Sequence, residues 1–125
     1  MTPGTFVYNE LHTTDVEAGQ AFYSGLFGWA PATSELPTSD GGSYTVFKSG
    51  DSDVAGMMLL SAEEKAQGAP PHWLCYASVE NVDASAAQAT ALGGKVLVEP
   101  TDIPDLGRYA VLADPAGAVI GVFQG

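Results

Sequence analysis

Basic residues are scarce in this 125-residue chain: Lys48, Lys65, Lys95 and Arg108 stand against fifteen acids, for a formal net charge of −11. Such a surface repels phosphate backbones and anionic lipid headgroups, so nucleic acid and membrane are poor partners and a cationic small molecule is a better one. The same acids also serve solubility without any partner. Cysteine is reduced to Cys75, which excludes a disulfide framework and a zinc knuckle. Lying in an apolar run, Cys75 reads as a small buried hydrophobe rather than a nucleophile. No apolar run approaches the length of a membrane span, and no charged segment leads into an apolar one at the N-terminus, so the expected address is the cytoplasm.

What is present suits one folded domain. A hydrophobic share of 46%, with 10% aromatic and 15% charged residues, argues against disorder, and the length supports one real core but not two ordinary ones.

The C-terminal stretch, Arg108 to Gln124, reads as two strands around a turn built by Asp114, Pro115 and Gly117. Its second strand carries Gly121 in the interior, which costs about 0.5–1 kcal/mol relative to alanine and points to a bulge or a close approach. Thr5 to Thr13 alternates as a strand, with Phe6, Tyr8, Glu10 and His12 on one face. Thr14 or Asp15 caps a helix to about Phe27, with Val16, Ala18, Ala21, Phe22, Gly25 and Leu26 as its apolar face and Gly28 at its end. A short strand or bend at Trp29 to Pro31, a turn at Leu36 to Gly42, a strand at Ser43 to Lys48 and another at Val54 to Leu60 complete a β-α-β-β-β order.

Residues 61–71 read as a connector, and then the pattern repeats. Pro71 to Val79 is a strand, Asn81 caps a helix to about Leu92, and Lys95 to Glu99, Tyr109 to Ala113 and Ala118 to Phe123 are strands. A shift of 66 residues pairs Val16 with Val82, Ala21 with Ala87, Leu26 with Leu92 and Gly28 with Gly94; a shift of 65 pairs Gly56 with Gly121. Two copies of one supersecondary unit follow, each too small to bury both sheet faces by itself. The expected architecture is α+β: one domain, 1–125, of two βαβββ units (5–61 and 70–124) whose strands form a curved mixed sheet with helices outside. The concave sheet is the default ligand surface.

With its paired units, the helix DVEAGQAFYSGLFGW (15–29), the segment VENVD (79–83) followed by Gly93 and Gly94, and the DPAG turn (114–117), the chain resembles the vicinal oxygen chelate superfamily. That group includes glyoxalase I, extradiol dioxygenases and bleomycin-resistance proteins. The resemblance implies four metal-ligand positions, at Tyr8, Gly56, Leu74 and Gly121, and none holds His, Glu or Asp. No resident metal and no cofactor are therefore expected, and the two glycines are expected to open the cavity floor. The resemblance thus points to the antibiotic-binding branch, which dimerises and sequesters a drug without turning it over.

On this reading the ligand is an aromatic or cationic small molecule, held by Tyr8, Glu10, His12, Phe47, Gly56, Met58, His72, Leu74, Tyr76, Gly121 and Phe123, with Trp29 and Trp73 as further stacking surfaces. Glu10 receives a donor or cation, while His12 and His72 are rim or surface groups. The alternative is a lyase, isomerase or oxygenase of the same superfamily. For it Glu10, His12 and His72 are the one constellation able to serve as a facial triad or an acid/base pair, although the 66-residue register sets His12 against Ser78 and His72 against Phe6. Arg108 is expected to be solvent-exposed beside its turn.

Overall fold

In the computed structural model, which describes residues 3–34 and 44–125, the strands and helices follow the expected repeat with one addition. The order is β1 (Phe6–Thr13), α1 (Val16–Phe27), β2 (Ala30–Ser34), β3 (Tyr44–Ser49), β4 (Ser52–Leu59), α2 (Ala62–Ala66), β5 (His72–Ser78), α3 (Val82–Ala91), β6 (Lys95–Ile103), β7 (Gly107–Ala113) and β8 (Val119–Gln124). The turn expected at Leu36 to Gly42, and Ser43, lie outside the described residues. The addition is α2, which falls where a plain connector was expected. Ser61 caps it and Glu64 reaches back to the Ser61 N–H, a reciprocal capping box that satisfies two backbone donors at once.

The chain forms two compact units, Asn9–Trp73 and Met1–Tyr8 with Leu74–Gly125. In the first the strand order is β2-β3-β4-β1, with β1 and β4 parallel and the other pairs antiparallel. In the second the order is β5-β8-β7-β6, with β5 and β8 parallel.

In the Asn9–Trp73 unit the core lies between α1 and one face of the strands, where Leu11, Phe47, Ala55 and Met57 are buried against Val16, Tyr23, Trp29 and Val54. Asp15 caps α1 by accepting from the Ala18 N–H, and Gly28 ends it in the left-handed region at φ 74°. The face that α1 turns inward differs from the one read from its sequence. Val16 and Tyr23 pack inward, and between them a Cβ on Gly19 would lie 3.0 Å from Met57 Sδ and 3.4 Å from Leu11 Cδ2. Phe22, Leu26 and Phe27 stay 60%, 59% and 57% exposed. Close approach at a glycine therefore sets the rotation of the helix, against the bulk of its apolar residues.

The second unit packs Val82 and Ala86 of α3 onto Ala110, Leu112 and Val122. The other face of its strands is closed by Leu74, Tyr76 and Val111, with Tyr8, Tyr109 and Phe123 packed around them. Cys75 alternates away from Leu74 and Tyr76 and is exposed, contrary to the buried position expected for it. Arg108 lies at the surface beside its turn, as expected, and is paired there: Nε and Nη2 donate to Asp83 at 2.8 and 3.0 Å, and Nη1 donates to Asp102 at 2.9 Å.

Candidate functional site

In the Asn9–Trp73 unit, the strand face opposite α1 carries a chain of buried polar groups. Glu10 and His12 alternate onto this face with Gly56 and Met58 beside them in register. Glu10, His12 and Tyr44 are 8%, 6% and 6% exposed. The Tyr44 hydroxyl donates to Glu10 Oε2 at 2.6 Å, and His12 Nε2 lies 2.6 Å from Glu10 Oε1. His12 Nδ1 lies 2.8 and 3.0 Å from the two oxygens of Glu64. His72 completes the group, with Nε2 3.3 Å from Glu64 Oε2 and its ring centroid 5.1 Å from that of His12.

Burial would lower the pKa of His12, but hydrogen bonds and charge from Glu10 and Glu64 outweigh it and push the imidazole up to about 9. Burial would likewise raise Glu64, yet the His12 imidazolium and the Ser61 N–H bring it down to about 2. At neutral pH His12 is therefore a cation donating from both ring nitrogens. It pins α2 to the end of β1 and is enclosed rather than a rim group.

His12 and His72 meet because their strands run in opposite directions. Ser78 N–H donates to Thr5 C=O at 2.8 Å, so the end of β5 lies beside the start of β1. Positions at opposite ends in the 66-residue register thus become neighbours. Glu64 lies in a segment whose composition suggests only a connector; the Ser61-to-Glu64 capping-box spacing is the sequence signal that it has structure. Tyr44 carried no signal that it would reach Glu10.

The remaining expected site residues lie elsewhere. Phe47 is fully buried in the core beneath α1 and cannot touch a ligand. Gly56 is buried opposite Glu10. Tyr8, Leu74, Tyr76 and Phe123 pack on one another in the second unit. Gly121 does not open a floor: the Tyr76 ring occupies the space a side chain would need, which explains the glycine by close approach.

On the α1 side of the Asn9–Trp73 unit lies a cleft of about 420 Å³ lined by Asn9, Tyr23, Phe27, Trp29, Val54, Ala55 and Trp73. The Trp73 indole N–H donates to the Tyr23 hydroxyl at 3.1 Å, and the Tyr23 ring sits edge-on to Trp73 at 5.2 Å and stacked with Trp29 at 6.0 Å. The rings thus fix one another around an apolar hollow in which Asn9 is the polar exception.

Comparisons with known proteins agree with this architecture. "Putative glyoxylase CFP32" of Mycobacterium bovis is 42% identical over 121 residues, covering 97% of this chain and 44% of that protein. Anthracycline biosynthesis protein DnrV of Streptomyces peucetius is 33% identical, covering 98% of this chain and 47% of its own length. The chain thus spans about half the length of these relatives. Methylmalonyl-CoA epimerase from Mycobacterium tuberculosis shares the fold, with a TM-score of 0.66 at 14% identity over 99% of this chain and 92% of the other. A family model matches residues 5–122, and the chain belongs to the glyoxalase/bleomycin resistance protein/dioxygenase superfamily.

Proposed function

We propose that the protein binds a planar aromatic small molecule without turning it over, and that the cleft of Tyr23, Phe27, Trp29 and Trp73 is where it does so. The observation that carries this reading is the open, mostly apolar cleft in which the Tyr23, Trp29 and Trp73 rings hold one another, with Asn9 available to orient the guest. Ring stacking adds about 0.5–1.5 kcal/mol per aromatic pair beyond area burial. The net charge of −11 favours a ligand with a positive group. The lack of His, Glu or Asp at Tyr8, Gly56, Leu74 and Gly121, and the similarity to a protein named for anthracycline biosynthesis, support binding of an aromatic compound over the superfamily's metal chemistry. Relative to the sequence expectation, the ligand moves from the Glu10 face of the strands to the α1 side.

The test uses the chain's two tryptophans, both of which line the cleft. An anthracycline is titrated while tryptophan emission is followed, and the probe is then recovered and analysed. Saturable quenching at one probe per chain, unchanged recovered probe, and affinity weakened about 2- to 10-fold by Trp73→Ala support the reading. Conversion of the probe, or binding indifferent to Trp73→Ala and Trp29→Ala, overturns it.

A second reading concerns assembly. Phe22 and Leu26 leave an apolar stripe on α1 exposed, and the relatives are about twice as long as this chain. A second copy of the chain seated on that stripe, forming a homodimer, accounts for both.

A further inference from the structure

We propose that His12, Glu64 and His72 form a site for a divalent transition-metal ion of the zinc class, which displaces the Nδ1 proton of His12 to solvent and is bound by His12 Nδ1, the Glu64 carboxylate and His72 Nε2. The proposal is separate from the aromatic cleft, which lies on the other face of the same strands. It also uses none of the positions Tyr8, Gly56, Leu74 and Gly121. His12 lies four residues beyond Tyr8 on β1, His72 begins β5, and Glu64 comes from α2, which is outside the repeated units.

The three donor atoms lie within 4.8 Å of one another. The separation of His72 Nε2 from Glu64 Oε2 is 3.3 Å, which matches the edge of a tetrahedron with metal–ligand bonds of about 2.05 Å. His12 Nδ1 stands 2.8 Å from the same oxygen, so that pair opens by about half an ångström around an ion of this size. Two imidazoles and one carboxylate suit zinc, cobalt or iron rather than calcium or magnesium, and three protein donors leave a position for water or a ligand oxygen.

The groups behind these donors make the arrangement specific. Metal-bound histidines commonly give their other ring N–H to a carboxylate or a carbonyl. Here His12 Nε2 faces Glu10 at 2.6 Å, Glu10 is itself held by the Tyr44 hydroxyl, and His72 Nδ1 faces the Pro70 carbonyl at 2.7 Å. The second oxygen of Glu64 accepts from the Ser61 N–H at 2.9 Å. Each donor residue is thus oriented by its other polar atom. A carbonyl can only accept, so His72 Nδ1 donates to Pro70 and Nε2 is the ring nitrogen that faces the Glu64 carboxylate. An ion placed among them is reached by one atom from each of His12, Glu64 and His72.

The experiment titrates the full chain with Zn²⁺ in a calorimeter and with Co²⁺ in a spectrophotometer, where imidazole ligation at four or five coordination intensifies the visible bands. Expected are one ion per chain, Co²⁺ bands displaced by Zn²⁺, and loss of both signals in His72→Asn and Glu64→Gln. His72 is partly exposed, so its replacement leaves the core intact, as circular dichroism checks. Glu10→Gln weakens binding about 10- to 100-fold while keeping stoichiometry. Absence of Co²⁺ bands, or Zn²⁺ binding that survives His72→Asn and Glu64→Gln and so belongs to the acidic surface, overturns the site. Neither result bears on anthracycline quenching, so the two proposals fail separately.

Discussion

The ring of Tyr76 lies over Gly121, its partner across the parallel β5–β8 pair, closer than a Cβ on that residue would allow. Tyr76 is 7% exposed and packed among Leu74, Val111, Tyr8, Tyr109 and Phe123, so it has no room to withdraw. Gly121→Ala is therefore expected to destabilise the protein by about 1–3 kcal/mol, the usual cost of overpacking. Combining it with Tyr76→Ala frees that space, so the two losses combine to less than their sum. Urea unfolding of the two single variants and the double variant measures the coupling. Strict additivity would show that the ring does not limit position 121.

The His12–Glu64 pair gives the metal-free protein a stability plateau with two edges. His12 is raised from 6.5 to about 9 on folding, so its contribution is complete below pH 6.5 and fades as pH rises through 9. Glu64 is lowered from 4.5 to about 2, so its contribution is complete above pH 4.5 and fades as pH falls through 2. Stability in a chelator-containing buffer is expected to be flat between about pH 4.5 and 6.5 with respect to this pair and to decline on both sides. His12→Asn removes the alkaline decline, and Glu64→Gln removes part of the acid one. An alkaline limb unchanged in His12→Asn would assign that limb to other groups.

Phe47 supports the fold rather than a ligand. It is fully buried beneath α1 with Leu11, Ala55 and Met57, and the ring of Tyr23 meets it edge-on at 6.4 Å. Phe47→Ala is expected to cost about 3–5 kcal/mol of stability by leaving a cavity. Phe47→Leu, which keeps most of the volume, is expected to cost much less and to leave anthracycline quenching unchanged. Thermal and urea unfolding measure the first effect. A Leu variant that folds normally yet loses the probe would place Phe47 in the binding surface after all.

Element order was legible because it follows from short-range chemistry: Asp15 and Asn81 cap helices with their own side chains, and a shift of 66 residues repeats the pattern. What depends on direction or close packing was not. A shift by 66 aligns His12 with Ser78, but the strands are antiparallel neighbours and bring His12 to His72 instead. Interior glycines announce close approach without saying what approaches; at Gly121 it is the Tyr76 ring, where open space was expected. Gly19 misleads in the same way. It lets α1 settle onto Met57 and Leu11, so the stripe of Phe22 and Leu26, which hydrophobicity assigns to the core, faces outward.

That outward stripe sets the last expectation. Exposed apolar side chains of this size, adjacent on one helix, are costly to leave in water and favour association of two chains. The wild-type protein is expected to be dimeric in sedimentation equilibrium at micromolar concentration, and Phe22→Glu with Leu26→Glu is expected to give a monomer of unchanged circular dichroism. Both side chains are more than half exposed, so charge at these positions leaves the interior packing alone, and any change in assembly is read without a change in fold. A wild type that is monomeric throughout, or a double variant that still dimerises, would move the contact off α1 and leave the stripe without a partner.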